Sequence, residues 1–311
     1  MSSGRPGRAV PRDAGTRLRT GRPGALWAVP ALGFFALFAL APLAIVAYLS
    51  FTSWNGLGAP EWVGWANWSR LLSDRDVREA AWHSLLLTVG TWAFQTPAAL
   101  LLGVWSAGRG RHRAVLSAVF LLPLLLSSAA VALVWKSLLD PNFGLVAEVA
   151  PVLGFDDASW FSTPEGAFSA LLFVLGWQFI PFHALLYQGA ARQVPEVLHQ
   201  AAALDGAGRA RRFWSITLPQ LRNTVVASSV LMVVGSLTFF DTVLILTGGG
   251  PGTSTTVVPL LVYRNGFEGF EMGYASAIAF ALVLVSTAVS LLLVRLTGFG
   301  RMSATSARDG L

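Results

Sequence analysis

The side chains that could do chemistry in this 311-residue sequence are few and scattered. His83, His112, His183 and His199 form no H-E-x-x-H pair and stand beside no serine-nucleophile motif, so neither a zinc protease nor a serine hydrolase is written here. A phosphate-cradling loop of the type G-x-x-x-x-G-K-[ST] needs a lysine after its glycines, yet Lys136, the sole lysine, follows Trp135. Gly248-Gly249-Gly250 therefore reads as a flexible turn, and ATP binding in that manner is excluded. Cysteine is absent, which removes disulfides and thiolate metal sites. No catalytic residue, metal or cofactor is expected. What remains suits contact with a polar solute: Trp177, Gln178 and His183 in one apolar stretch, and Asp241 in another. Indole faces stack on sugar C–H surfaces and amides bond hydroxyls, so Trp177 and Gln178 suit a carbohydrate. Helix packing, or placement of Trp177 and Tyr187 at a membrane interface, is the alternative.

These residues ride on long apolar runs. The chain is 54% hydrophobic and only 12% charged, about half the charge of a soluble domain. Six runs are long enough for a hydrocarbon layer that requires roughly 20 residues of helix. They lie at Leu26–Phe51, Trp82–Ser106, Ala114–Trp135, Phe168–Gly189, Thr224–Leu246 and Met272–Leu296. The expected fold is an all-α integral membrane protein with six transmembrane helices. Its first run is longer than a signal-peptide core and reads as a retained helix.

Basic residues fix an orientation under the positive-inside rule. Of 22, 17 lie in the tail before Gly24, the 109–113 loop, the 192–222 loop and the end from Arg295; five lie in the loops between. Both termini are expected in the cytoplasm of a multi-pass protein of the bacterial inner membrane. Because the arginines flank spans, their excess speaks for membrane lipid and not for nucleic acid. Residues 1–23 form a basic, Gly- and Pro-rich tail expected to be disordered, 24–300 the transmembrane domain, and 301–311 a second cytoplasmic tail. Asp241 falls inside the fifth run, where an ionisable side chain must face a cavity or a partner. It either lines or gates a solute path, or bonds Thr238, Thr242 or a sister subunit.

The longest inner loop carries helix punctuation. Pro195 suits the start of a helix through Leu204, and Asp205-Gly206 supplies a turn and an N-cap for a second short helix ending before Pro219. Ala201, Ala202 and Ala203 keep one surface small for close approach, while Leu198, Leu204, Phe213 and Ile216 offer apolar anchors. Arg209, Arg211 and Arg212 offer charge to a partner or to lipid headgroups. Taken alone, this is an interfacial helical element.

The run from Val194 to Leu221, with Pro195-Glu196, Ala201-Ala202, Leu204-Asp205-Gly206-Ala207 and Ile216-Thr217-Leu218-Pro219, resembles the EAA loop of binding-protein-dependent ABC importer permeases. Trp62-Val63-Gly64 with Leu71-Leu72, Phe239-Phe240-Asp241 and Thr247-Gly248-Gly249-Gly250-Pro251 are similar to the carbohydrate-uptake, maltose-permease-like branch. The resemblance implies a type I permease fold and alternating access. It also implies a second homologous permease subunit, two ATP-binding subunits that hydrolyse the ATP, an extracytoplasmic solute-binding protein, and a sugar or oligosaccharide as cargo. Ala201, Ala202, Asp205, Gly206 and Ala207 would then couple to the ATPase. Gln200 stands where the motif's glutamate is expected, which removes a salt bridge from that position. The same machinery would serve glycerol phosphate, a polyamine or another small polar solute, and an autonomous secondary transporter is the reading from a different class.

Overall fold

The computed structural model describes residues 25–108, 110–145, 148 and 160–297. The tails expected at 1–23 and 301–311 lie outside the described residues. The chain divides into two compact units, Met1–Ala44 and Ile45–Leu311.

In the first unit, a 3₁₀ turn at Ala25–Ala28 leads into α1 (Val29–Leu49), which crosses the unit boundary. A π-turn at Ala36–Leu40 interrupts its regular winding, and Phe34 and Phe38 pair there with ring centroids 4.5 Å apart. No residue of α1 is buried, as suits a helix whose surroundings are lipid.

In the second unit, β1 (Thr52–Ser53) and β2 (Glu61–Trp62) form a small antiparallel ladder with Thr52 opposite Trp62. This hairpin is missing from the sequence reading, because two-residue strands carry no periodicity. The short helix α2 (Ala66–Ser73) follows, and then α3 (Arg75–Ala107). Helix α3 starts seven residues ahead of the expected span because Asp74 caps it, accepting from the Asp76 N–H at 2.8 Å, and Arg75 pairs with Glu79 one turn on. Likewise α6 (Pro164–Arg192) starts early, with Thr163 accepting from the Gly166 N–H and Pro164 in the first turn. Both helices run unbroken through internal prolines, Pro97 and Pro181.

Two expected spans are corrected. The third is not one rod: α4 (Arg111–Phe120) continues through a 3₁₀ turn, Leu122–Leu125, and meets α5 (Ser128–Leu138) at a bend of 100°. Pro123 sits in that turn, and Ser127 restarts the winding by capping α5 through the Ala130 N–H. The fifth divides into α9 (Leu218–Ser236) and α10 (Asp241–Leu246). Between them the Ser236 hydroxyl donates to the Val233 carbonyl and the Thr238 hydroxyl to that of Gly235, both at 2.8 Å, drawing carbonyls out of the helical ladder. After α11 (Val258–Tyr263), α12 (Met272–Thr297) closes the bundle. Among the described residues, α1, α3, α6 and α12 are each long and apolar enough to cross a membrane, and the bent 111–138 pair makes a fifth crossing if counted as one.

The centre of the unit is the contact of α3 with α6. A Cβ on Gly103 would stand 2.6 Å from the Ala184 carbonyl oxygen and 2.7 Å from the Tyr187 Cβ, so the missing side chain sets how closely these helices approach. Leu87, Leu171, Val174, Leu175, Val243 and Leu260 fill one end of the core. Polar pairs pin α9 to α3: Ser236 Oγ lies 2.8 Å from Thr88 Oγ1, and Trp92 Nε1 donates to Ser229 Oγ at 2.9 Å. Such bonds are worth about 0.6 kcal/mol each in a bilayer.

Candidate functional site

The loop after α6 folds as α7 (Glu196–Leu204), then a turn, then α8 (Arg209–Arg212). Pro195 stands immediately before α7 as its N-cap residue. At the other end Asp205 is the C-cap of α7, not the N-cap of the next helix; that place belongs to Gly208. Gly206 takes φ of +77°. Its N–H donates to the Ala203 carbonyl at 3.1 Å and the Ala207 N–H to the Ala202 carbonyl at 2.8 Å, the paired closure that satisfies the last carbonyls of a helix. A Cβ at Gly206 would meet no atom within 4 Å, so backbone conformation alone demands glycine there. A second correction concerns α8, which does not stop before Pro219. It passes through a π-turn, Phe213–Thr217, straight into α9, with Pro219 in the first turn where its missing N–H costs nothing.

The turn is thus joined to α9 through one continuous stretch of winding. The turn itself stands clear of the bundle. Leu204 is 90% exposed, and Val197 and Trp214 are exposed too. Ala202, Asp205 and Ala207 join Arg211, Arg212, Ser215 and Ile216 in lining a cleft of about 300 Å³. Ala201 and Gly206 lie exposed outside its lining. Gln200 is exposed as well. Phe213, expected as a docking anchor, instead turns inward and packs on the core formed by Ala99, Leu100, Ala184, Tyr187 and Leu221. Trp214, Val197 and Ser215 escaped the sequence reading. An indole beside two arginines was the available signal for the first.

Segments expected on one side of the membrane do converge. A cavity of about 840 Å³ is bounded by Ser106, Gly108 and Ala114 from one loop, and by Arg192, His199 and Thr217 from the other. At the opposite end the 247–257 turn is closely tied. Arg264 donates to the Gly248 carbonyl at 2.5 Å and to Thr256 Oγ1 at 3.3 Å, while Thr255 Oγ1 bonds Thr247 Oγ1 and the Gly250 carbonyl, each at 2.8 Å. The expected flexible turn is a turn, but a braced one.

The four solute-path candidates separate. Gln178 is 3% exposed and its Nε2 donates to Ser128 Oγ at 3.3 Å, while its Oε1 has no partner among the described residues. His183 is also buried, its Nδ1 2.8 Å from Ser228 Oγ. These two lie in helix contacts. Trp177 keeps 37% of its surface and meets Trp135 edge-on, centroids 5.4 Å apart. Asp241 is exposed in the first turn of α10; Thr238 bonds the Gly235 carbonyl in place of it, and Thr242 is buried.

Residues 99–298, which hold the helix contact, the exposed turn and the braced loop, match a family model described as "Binding-protein-dependent transport system inner membrane component". The chain belongs to this family. Relatives of this inner membrane component include the sulfoquinovosyl glycerol transport system permease protein SmoG of Agrobacterium fabrum, 32% identical over 76% of this chain and 77% of that one. The multiple sugar-binding transport system permease protein MsmF of Streptococcus mutans is 33% identical over 76% and 81%. The trehalose/maltose transport system permease protein MalF of Thermococcus litoralis is 34% identical over 74% and 78%. In three dimensions it matches a chain in the crystal structure of a bacterial alginate ABC transporter in complex with alginate pentasaccharide-bound periplasmic protein, with a TM-score of 0.77 and 21% identity over 88% of this chain and 92% of that one. That likeness establishes the type I permease fold.

Proposed function

We propose that this chain is the permease subunit of an importer that takes a sugar or oligosaccharide from an extracytoplasmic solute-binding protein. It works beside a second, homologous permease subunit and two ATP-binding subunits. The observation that carries this reading is the exposed 195–218 element: an apolar tip at Leu204, a cleft edged by Ala202, Asp205 and Ala207, and arginines around it, joined without a break to α9. Leu204 and Asp205 stand exposed among the described residues, and a separate motor domain seated there would move α9 directly. The sugar is supported by three relatives named for saccharide or glycoside transport.

ATP-driven closure of the motor pair pushes on Ala201 to Ala207, and α9 transmits the push to the break before Asp241. The solute path opens outward, receives cargo, and closes on hydrolysis. Trp177 and Asp241, exposed in the isolated chain, face that path, and Gln178 and His183 hold the helices that frame it. Both termini lie in the cytoplasm on this reading, supported by 17 of 22 basic residues on that side.

Co-purification tests the coupling. The double variant Asp205→Arg, Gly206→Pro should lose the ATP-binding subunits that accompany the unaltered chain; a complex that survives both changes overturns the assignment. Uptake of a labelled panel covering oligosaccharides, glycerol phosphate and polyamines, by the complete transporter in liposomes, identifies the cargo. Uptake by this chain without partner subunits would support an autonomous transporter instead.

A further inference from the structure

The segment between α1 and α3 lies along the flank of α12 and does not stand over its end. Trp68 meets Phe280 edge-on with centroids 6.3 Å apart. Phe280 stands eight residues past Met272, where α12 begins, about 12 Å along the axis at a rise of ~1.5 Å per residue. Three further bonds tie α2 to the chain that follows α1. Asn67 Nδ2 donates to the Ser50 and Thr52 carbonyls at 3.0 and 2.8 Å, and Trp68 Nε1 donates to Ser50 Oγ at 3.3 Å. A Cβ on Gly273 would collide with the Thr52 carbonyl, so the ladder is pressed against the first turn of α12.

Aromatic rings fill the inside of this segment and also cover its outside. Phe51 stacks on Trp62 at 5.6 Å and meets Trp65 edge-on at 5.0 Å. The outward faces remain open: Trp62 is 65%, Trp65 70% and Leu72 77% exposed. Trp65, the N-cap residue of α2, stands seven residues before Leu72, about two turns along, while Arg70 is turned away to Glu271. This apolar surface is continuous with the exposed side of the preceding helix, since Tyr48 packs on Trp62 at 6.0 Å and Ile45 is open one turn earlier.

A face without charge, rich in indole, beside the first turns of a membrane helix, matches the boundary between headgroups and acyl chains. We propose that residues 50–73 form an interfacial anchor: Trp62, Trp65 and Leu72 insert into the bilayer surface on that side, and the phospholipid headgroup boundary is their partner. The anchor sets the depth of the α1–α3 connection and, through Arg70 and Trp68, that of the start of α12. It does not depend on the identity of the cargo or of any partner subunit.

The chain has no cysteine, so single labels are available without further change. Leu72→Cys, which leaves the ring cluster intact, and Trp65→Cys would each be spin-labelled in the full chain in nanodiscs of phosphatidylcholine and phosphatidylglycerol. Arg78→Cys, exposed on the first turns of α3, is the reference. The anchor requires that labels at 65 and 72 be relaxed several-fold more by oxygen than by a water-soluble nickel chelate, relative to the label at 78. Nickel access equal to that at 78 places the face in water and overturns the proposal. Protection from both reagents would mean that protein covers the face, and overturns it equally.

Discussion

Arg70 grips Glu271 with two parallel bonds of 3.0 and 2.8 Å, joining helices that 201 residues of sequence separate. The guanidinium also lies over the Tyr274 ring, 3.8 Å from its centroid, and the Tyr274 hydroxyl donates to Asp74 at 2.5 Å. Both ion-pair partners keep nearly half their surface, 48% and 45%, so the pair itself contributes no more than about 1 kcal/mol. Its role is to fix where α2 meets the start of α12.

Acid should loosen this clasp through Asp74. Burial pulls its carboxyl upward, but the Tyr274 hydroxyl and the backbone N–H groups of Asp76 and Val77 outweigh burial and hold it below its ordinary value. A depressed folded value means that the unfolded chain takes up the proton first. The contribution is therefore whole above the ordinary value of about 3.9 and drains away as pH falls from there through the folded value. Thermal melts in detergent should show a steeper loss below about pH 4 for the unaltered chain than for Asp74→Asn. Parallel curves would assign acid sensitivity to other groups.

Gly103 sets the distance between α3 and α6, with no room for a branched side chain beside Ala184 and Tyr187. Gly103→Val should cost about 1–3 kcal/mol through overpacking, and Gly103→Ala less. The midpoint of unfolding in detergent should fall in the order Gly, Ala, Val. Equal midpoints would mean that the helices separate without penalty.

At Gly206 the constraint is conformational, because space is free but φ is +77°. Gly206→Asn should keep most solute-stimulated ATPase activity of the reconstituted transporter, since asparagine enters the left-handed region readily. Gly206→Val should lose most of it, with unchanged yield and melting, because the strain of roughly 1–2 kcal/mol falls on an exposed turn. Equal activity in both variants would show that the turn's shape is irrelevant to coupling.

The solute-path candidates can be told apart by what their loss disturbs. Asp241→Asn and Trp177→Ala should lower uptake with little change in stability, as both side chains are exposed in the isolated chain. His183→Ala, which strands the buried Ser228 hydroxyl, should cost stability by about 1–3 kcal/mol. Gln178→Leu should be nearly neutral in melting, since only one end of the amide is bonded. Full uptake by both Asp241→Asn and Trp177→Ala would remove them from the path.

Length and apolarity, which act locally and need no partner, determined from the sequence alone that this is a helical membrane protein, and Pro195 and Asp205-Gly206 marked a helix and a turn after the fourth apolar run. The order of residues there resembled the family to which the chain belongs. What the sequence could not decide was whether an apolar run stays straight. The 100° bend before Ser128 and the break before Asp241 come from hydroxyls and a proline competing with the helical ladder, a contest settled by which carbonyls have other partners. Nor could spacing distinguish Gln178 and His183, whose polar atoms meet neighbouring helices, from Trp177 and Asp241, which face outward. All four read alike as polar groups in apolar surroundings. Only the packing of α6 against α5 and α9 assigns each a direction, because burial depends on contacts between segments far apart in the chain.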